Sequence, residues 1–264
     1  MDDVAFNRLV IRVLGRSAPR VWSLLVTMFG DLALSPQARL SGATVNAITA
    51  AIGIKPEATR VALHRLRKED WIESHRTGRQ TRYGLTPHGR AQTNAAWPRV
   101  YGQPPEDVAA FLVVEDPSAP IDREMEGKGA VTVQIGPRSF VTTAPDARGD
   151  TLRLSLNATA PLPRWVTDKL CPPEVQEASE ALLERLKLLL TEHGLQDLSL
   201  LHRTALRVTV VHEWRRLILR TPAFPEPLIA DHWSGAECRA AFHDVLTRLP
   251  VADLALLEED IEAV

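Results

Sequence analysis

A helix followed directly by a β-hairpin is the strongest pattern in this chain, and it lies within residues 54–85. Pro56 fits the first turn of such a helix, because proline lacks an N–H group that would have no intrahelical partner there. Residues at the spacing i, i+3, i+4 and i+7 then form one inward face, which comprises Thr59, Ala62, Leu63 and Leu66. The pattern predicts an amphipathic helix whose opposite face is open.

The open face and the hairpin carry side chains that suit DNA. In the major groove an arginine can bond a guanine edge, a histidine can donate to a base acceptor, and a valine can touch a thymine methyl group. Trp71 begins the hairpin and Thr77-Gly78 is predicted to supply its turn, which sets basic side chains along a phosphate backbone. The residues predicted to contact DNA are Arg60, Val61, His64, Arg67, Lys68, Arg76, Arg79 and Arg82.

The charge of this stretch differs from that of the rest of the chain. Residues 55–90 hold nine Lys and Arg against four Asp and Glu, whereas the whole 264-residue chain has a formal net charge of −2. A local basic element on a mildly acidic protein is typical of DNA-binding proteins. The alternative is a solvated helix with a basic loop, and the hairpin that follows the helix makes this alternative the weaker one.

The segment before the helix completes a winged helix-turn-helix pattern. Ser17 is an N-cap signal that predicts the start of a first helix. A second helix is predicted to begin near Ser41 or Ala43 and to end at Gly53. The order helix, helix, short turn, helix and wing is that of a winged helix-turn-helix domain.

Two further helices are predicted beside this domain. Thr86-Pro87 caps a helix that runs to about Ala96 and leads out of the domain. Residues 1–16 are predicted to form a short arm or helix, docked through an apolar face that comprises Phe6, Leu9, Val10 and Val13.

Cysteine content and hydropathy limit the class of protein. Cys171 and Cys238 provide neither a disulfide framework nor a zinc ligand set, which favours a reducing cytoplasm. Residues 1–16 lack the charge order of a signal peptide, and the chain has no run of about 18 apolar residues. We therefore expect a cytoplasmic protein with no membrane association and no cofactor.

Residues 100–167 are predicted to form a small sheet. The strand candidates, separated by turn signals, are residues 108–114, 130–135, 138–143 and 151–156. A helix after the first of these strands is poorly supported, because residues 117–130 contain two prolines and two glycines.

The periodicity becomes helical again from Pro173 onwards. One long helix is predicted over 173–193, and a second over 197–220 is apolar on most sides, as expected of a buried helix. Ser234 with Glu237 predicts a capping box for a third helix. The tail has five acids and no base, and it is predicted to form a short acidic helix that shields Leu254, Leu256 and Leu257.

Polar side chains interrupt the apolar face of the second of these helices. His212 and Arg215 continue that face, and buried polar groups must be paired. Pairing with each other and with Glu213 is the more frequent explanation. The alternative is contact with an effector, in which Arg215 meets a phosphate or carboxylate and Trp214 an aromatic group. The effector-binding candidates are therefore His212, Trp214 and Arg215.

Metal chemistry has little support in the sequence. His212-Glu213 resembles the start of a zinc-protease motif, but the second histidine that this motif requires is replaced by Arg216. Glu115-Asp116 follows a predicted strand, as carboxylates do in metal-dependent nucleases, yet Asp-Pro is an ordinary turn opening. A nuclease acting through the middle domain is the alternative function, and no catalytic or metal-binding residue is assigned.

Three segments of the N-terminal part resemble the PaaX family of transcriptional repressors, named for control of phenylacetic acid catabolism. They are SAPRVWSLLVTMFGD (17–31), EATRVALHRLRKEDWIE (57–73) and RYGLTPHGR (82–90), and residues 211–249 resemble the C-terminal domain of that family. One departure is Thr59, where the family usually has an aliphatic residue. The resemblance implies a ferredoxin-like middle domain and an acyl-CoA thioester, such as phenylacetyl-CoA, as the effector.

We therefore predict an α+β multidomain protein with an N-terminal winged helix-turn-helix (1–97), a small ferredoxin-like middle sheet (98–170) and a helical C-terminal domain (171–264). The predicted function is repression of a catabolic operon, with release from the operator by a small-molecule effector. A lone winged helix reads a short site, so a homodimer on palindromic double-stranded DNA is expected.

Overall fold

The computed structural model describes residues 3–15, 18–78, 80–103, 109–118, 131–144, 151–156, 162–221, 224, 226–229 and 233–262. These residues form helices and two small sheets, so the α+β class is confirmed. By its contacts the chain divides into two compact units. Unit 1 comprises Met1–Gly102, Leu182–Ile218 and Cys238–Val264, and unit 2 comprises Gln103–Ala181 and Leu219–Glu237. The three consecutive domains stay a prediction.

Unit 1 begins with helix α1, which spans Asp3–Leu14. Phe6 stacks on the imidazole ring of His202, with the two ring centroids 4.0 Å apart. The predicted inward face is buried throughout, because Phe6, Leu9, Val10 and Val13 all lie in the core. The prediction that residues 1–16 dock through this face is therefore confirmed for the described residues.

Helix α2 spans Val21–Leu32, and its start differs from the prediction. The helix is preceded by Arg20, which has extended backbone angles and makes no capping hydrogen bond with its side chain. Ser17, the predicted cap, lies outside the described residues. The helix therefore begins several residues later than the capping signal at Ser17 predicted.

Helix α3 spans Gly42–Ala51 and begins where the sequence predicts. The Ser41 hydroxyl accepts a hydrogen bond from the Thr44 amide at 3.0 Å, which satisfies one of the unpaired N–H groups of the first turn. Gly53 follows the helix with φ 87°, a left-handed angle that glycine adopts without strain.

Helix α4 spans Pro56–Lys68 and has the predicted inward face, because Thr59, Ala62, Leu63 and Leu66 are buried. The Thr59 hydroxyl donates to Thr49 Oγ1 at 3.0 Å. Thr49 in turn donates to the carbonyl of Val45 at 2.9 Å. The hydroxyl of Thr59 therefore has a hydrogen-bond partner inside the core.

The hairpin consists of strands β2 (Ile72–Thr77) and β3 (Gln80–Leu85), and a two-residue strand β1 (Leu40–Ser41) pairs with β3. The sheet order is β1-β3-β2 and all pairs are antiparallel. Because Thr77 pairs with Gln80, the turn is one residue later than predicted. Gly78 has φ 61°, as a tight two-residue loop requires.

Helix α5 spans Pro87–Tyr101, with the predicted start and a later end. The Thr86 hydroxyl accepts a hydrogen bond from the Gly89 amide at 3.0 Å. Gly89 also permits a close approach, because a Cβ there would lie 2.2 Å from the carbonyl oxygen of Trp71. The helix continues through Pro98 instead of ending near Ala96.

The sheet of unit 2 contains the four predicted strands, β4 (Ala110–Glu115), β5 (Thr132–Gly136), β6 (Ser139–Thr142) and β7 (Thr151–Leu156). The order is β5-β6-β4-β7, with antiparallel neighbours throughout. Helix α6 (Arg164–Leu170), which the sequence analysis missed, packs on β5. Most of the segment 117–130, where a helix was doubted, lies outside the described residues.

The C-terminal half is helical, as predicted. It comprises α7 (Pro173–Thr191), α8 (Leu200–Ile218), α9 (Gly235–Arg248) and α10 (Leu254–Glu262). Helix α8 is buried on most sides and packs on α1, α2, α3 and α5 within unit 1. Of the leucines that α10 was predicted to shield, Leu257 is buried and Leu256 is 57% exposed. None of the described helices is long and apolar enough to cross a membrane.

Candidate nucleic-acid interface

The open face of α4 presents the predicted side chains to solvent. The exposed residues are Arg60, Val61, His64, Arg67 and Lys68. Val61 is 69% exposed, so its apolar side chain is open to contact with a partner. The helix therefore offers cations, an imidazole and an apolar group on one surface, and this is the chemistry that reads base edges.

Arg65 belongs to a different part of α4. Its Nε donates to Glu69 Oε1 at 2.7 Å, and its guanidinium lies 5.7 Å from the ring centroid of Trp22. Trp22 meets Trp71 edge to face, with ring centroids 5.5 Å apart. These contacts fix the last turn of α4 against α2 and the start of the hairpin. The sequence analysis gave Arg65 no role, because its aromatic partner Trp22 is remote in sequence.

The basic residues of the hairpin differ in their surroundings. Arg76 is exposed, and its Nε donates to the Gly78 carbonyl at 3.3 Å. Arg82 is half-buried and donates from Nη2 to Glu258 Oε2 at 2.6 Å. Arg79 lies outside the described residues. Arg76 is thus open to a phosphate, whereas Arg82 already holds a carboxylate.

A buried ionic network lies behind the α4 surface. Arg207 donates from Nε to Asp31 Oδ2 at 2.7 Å and from Nη2 to Oδ1 at 2.8 Å. The Tyr101 hydroxyl donates to Asp31 Oδ1 at 2.7 Å, and burial together with the negative charge of Asp31 raises the pKa of Tyr101. The network joins α2, α5 and α8, three elements far apart in sequence.

His212 lies in the core and has one polar partner. Its Nδ1 is 3.4 Å from the Thr27 hydroxyl, which donates to the Ser23 carbonyl at 3.1 Å, so Nδ1–H is the donor to Thr27. No described residue bonds Nε2. Burial, with the charges of Arg216 and Arg215, lowers the pKa of His212 to about 4. The imidazole is therefore neutral at neutral pH.

Glu213 does not pair with His212 or Arg215, which was the internal pairing expected from the sequence. Its Oε2 lies 3.3 Å from Arg216 Nη2 and 3.7 Å from Arg185 Nη1, and Arg185 also donates to the Val13 carbonyl at 2.8 Å. Burial raises the pKa of Glu213, and the two arginines oppose this rise. The carboxylate therefore joins α8 to α7 and to the end of α1.

Trp214 is completely buried and has its own polar partner. Its Nε1 donates to the Val100 carbonyl at 2.8 Å, and its ring stacks on Phe242 with centroids 5.5 Å apart. Arg239 lies over the same ring at 5.2 Å. In this conformation Trp214 packs the core, with no surface open to a ligand.

Arg215, one of the effector candidates, lines a cavity. The cavity lies between α2, α5 and α8 and is bordered by Thr27, Asp31, Trp97 and Tyr101, among others. Its volume of about 20 Å³ suits a single water molecule. Burial lowers the pKa of Arg215, and among the described residues no carboxylate pairs with it. The guanidinium of Arg215 therefore borders the cavity without a carboxylate partner among the described residues.

Of the two carboxylates predicted at the end of the first strand, Glu115 is the last residue of β4 and Asp116 takes part in the turn that follows. Asp116 Oδ1 accepts hydrogen bonds from the Ser118 amide at 2.8 Å and the Ser118 hydroxyl at 2.7 Å, which lower the pKa of Asp116. This is the ordinary turn opening that the Asp-Pro sequence predicts. No group of three or more His, Cys, Asp or Glu in the described residues is placed to hold a metal ion.

Comparison with known proteins matches both halves of the chain. The family model described as PaaX-like protein matches residues 20–89, and that described as PaaX-like protein C-terminal domain matches residues 171–257. The chain is 23% identical to the transcriptional repressor PaaX of Escherichia coli (strain K12), over 90% of this chain and 83% of that protein. The matched segments include α4, the hairpin and α8.

Proposed function

Because the chain belongs to the PaaX family, we propose that it is a ligand-responsive transcriptional repressor that binds double-stranded operator DNA. The observation that carries this proposal is the open face of α4, where Arg60, Val61 and His64 are exposed while the opposite face is buried. In this proposal α2, α3, α4 and the hairpin act as a winged helix-turn-helix, and α4 enters the major groove.

The side chains of α4 and the hairpin have separate roles in this arrangement. Arg60, Val61 and His64 lie on the exposed face of α4 and read base edges, whereas Lys68 at the end of α4 and Arg76 in the hairpin hold phosphates. Phosphate contacts fix the position of the protein on the duplex, and base contacts supply sequence specificity.

The order β5-β6-β4-β7 supports a ferredoxin-like middle domain. Numbered along the chain from β4, the four strands stand in the order second, third, first, fourth, which is the order of that fold.

A gel-shift experiment with DNA from the chain's own genomic neighbourhood tests the proposal. We expect retardation of intact duplex, both with and without Mg²⁺, and loss of the shift in the double variant Arg60→Ala/His64→Ala. Glu57→Gln, on the same helix, is a matched control that should retain binding. Absence of retardation would contradict the proposal, and degradation that requires Mg²⁺ would favour a nuclease.

The proposed release of operator depends on an effector that binds the DNA-incompetent arrangement more tightly. Arg215 lies beside α2 and α5, so a ligand that contacts its guanidinium also presses on α2, which packs on α4. The cavity has room for about one water molecule, so an acyl-CoA thioester requires α2, α5 and α8 to separate, and this requirement supplies the difference in affinity between the two arrangements.

Arg215→Ala tests the effector site. We expect the variant to fold, to bind operator and to be insensitive to phenylacetyl-CoA, whereas the wild-type complex dissociates. Arg216→Ala, one residue along α8, is the control that should retain the response. If the Arg215→Ala variant still released operator in response to the effector, or if it failed to fold, the role of Arg215 would be structural only.

We also propose that the repressor is a homodimer, because two copies of α4 are needed for affinity towards a palindromic operator. Light scattering at tens of micromolar should give about twice the chain mass of 29.2 kDa. A mass of one chain, with and without DNA, would remove the dimer from the proposal.

A further inference from the structure

The carboxylate of Glu258 accepts hydrogen bonds from two donors of the β1-β3-β2 sheet, which supports α4. Its Oε2 accepts from Arg82 Nη2 at 2.6 Å, and its Oε1 accepts from the Ser41 amide at 3.3 Å. Ser41 and Arg82 are partners in the β1–β3 register, so one carboxylate bridges the two strands. The side chain of Glu258 is 19% exposed and that of Arg82 is 34% exposed.

The two donors form a site that suits a phosphate. A guanidinium together with a backbone N–H is a common pair of phosphate ligands in protein–DNA complexes. Ser41 is also the N-cap of α3, so the positive end of that helix dipole points at the same place. An anion already sits at the site, and this anion belongs to the chain itself.

Residues before and after Glu258 in the sequence hold helix α10 in place within unit 1. Leu257 is completely buried, and Asp260 Oδ2 accepts from the Leu201 amide at the start of α8 at 3.1 Å. Asp253 caps the helix, accepting from the Ala255 amide at 2.8 Å. These anchors keep the Glu258 carboxylate close to Arg82, so any anion from solution must displace a tethered competitor.

We propose that Arg82 and the Ser41 amide form a DNA-phosphate site, and that Glu258 of α10 occupies this site and restrains the affinity for DNA. The proposal rests on the DNA-binding function proposed above. Without DNA the carboxylate compensates the half-buried guanidinium. On DNA a backbone phosphate displaces it, and the cost of breaking the Glu258 contacts lowers affinity equally for all sequences, because a phosphate carries no base identity.

Glu258→Gln removes the competing charge and keeps one oxygen that can accept from Arg82, while a donor nitrogen replaces the oxygen that accepts from the Ser41 amide. Binding of a non-cognate duplex by fluorescence anisotropy at about 150 mM salt should tighten by about 3- to 10-fold, and the salt slope should steepen by about one phosphate contact. The matched control is Glu259→Gln, which makes the same change of charge at an exposed position of the same helix. Because salt screens the charge of a distant group, the control should change affinity less than twofold.

A double variant assigns the gain to Arg82. In Glu258→Gln/Arg82→Ala the affinity should equal that of Arg82→Ala alone, because the site has lost its main donor. Glu258→Asp keeps the charge but shortens the reach to Arg82, and it should give a smaller gain. This second variant keeps the test decisive if the glutamine variant loses stability.

The outcomes separate this proposal from the function on which it rests. If the wild type binds DNA and Glu258→Gln binds no more tightly than Glu259→Gln, Glu258 does not compete with phosphate. Weaker binding by Glu258→Gln would mean that the carboxylate positions Arg82, which also overturns the proposal. If the wild type and Glu258→Gln both fail to bind any duplex, the DNA-binding function itself is wrong.

Discussion

The carboxylate of Asp31 and the guanidinium of Arg207 form a bidentate ion pair that joins α2 to α8, with both N–O distances below 3 Å. The third donor of the guanidinium, Nη1, reaches the Leu249 carbonyl at 2.7 Å. Both side chains are nearly inaccessible to solvent, so all these bonds form where water does not compete. A helix of the proposed DNA-reading domain is therefore held by the C-terminal half of the chain.

Asp31→Ala leaves the Arg207 guanidinium buried without its counter-charge. Breaking a buried pair from one side is strongly destabilising, and we expect the free energy of unfolding to fall by about 3–5 kcal/mol. Urea titration measures the loss. As a control, Glu69→Ala breaks the exposed pair with Arg65 and should cost no more than about 1 kcal/mol. Equal losses in the two variants would mean that the buried pair contributes no more than a surface one.

The buried imidazole of His212 makes stability depend on pH. Its pKa is about 4 in the folded chain, against 6.5 for a histidine exposed to water, so the unfolded chain binds the proton more tightly. The stabilisation is complete above pH 6.5 and is lost as the pH falls towards 4. Between pH 7 and pH 5, wild type should lose about 2 kcal/mol more than His212→Asn. His64→Asn, on the open face of α4, should follow the wild type, and parallel curves for all three proteins would contradict the prediction.

The hydroxyl of Thr59 donates to that of Thr49, and both side chains are buried. Thr59→Val removes the donor, and Thr49→Val removes the acceptor, so each should cost about 1 kcal/mol of unfolding free energy. The double variant leaves no unpaired hydroxyl and should cost less than the sum of the two, by about 1 kcal/mol. A double-mutant cycle by urea unfolding measures this coupling, and strict additivity would show that the bond contributes nothing.

The proposed division between base and phosphate contacts predicts two kinds of DNA-binding defect. Arg60→Ala should cost about 1–3 kcal/mol and relax specificity at one operator position. Arg76→Ala should weaken binding to all sequences alike and reduce the salt slope by about one, and the sequence predicts the same for Arg79→Ala. Binding constants over a set of single-base operator variants at several salt concentrations distinguish these effects. Identical profiles for the Arg60 and Arg76 variants would contradict the division.

Local signals predicted α4 and the hairpin well. Pro56 marks the start of α4, the 3.6-residue period gives its buried face, and Gly78 gives the hairpin loop to within one residue. These features depend on residues close in sequence, where proline geometry and side-chain spacing determine the backbone. The same reasoning found the four strands of unit 2.

Long-range contacts account for what the sequence did not predict. Strand β1 is two residues long, and its partner in β3 lies about forty residues later, so no local period reveals it. Helix α5 continues past Pro98 because Tyr101, in its last turn, donates to Asp31 and packs against Trp97, with the ring centroids 4.1 Å apart. Thr27, the partner of His212, lies 185 residues away, and the sequence analysis named Arg215, Glu213 or a ligand as partners instead.

The burial of α8 among α1, α2 and α3 has a consequence for synthesis of the chain. The ribosome delivers the proposed DNA-reading helices first, and Ile218, the end of α8, emerges more than a hundred residues after Gly102. At ordinary rates of translation this interval is about 10 s, during which the apolar faces of α1 and α2 lack the helix that covers them. The nascent N-terminal segment must therefore be bound by a chaperone, or must collapse slowly, if it is not to aggregate before α8 is made. A prematurely terminated chain should aggregate instead of binding DNA.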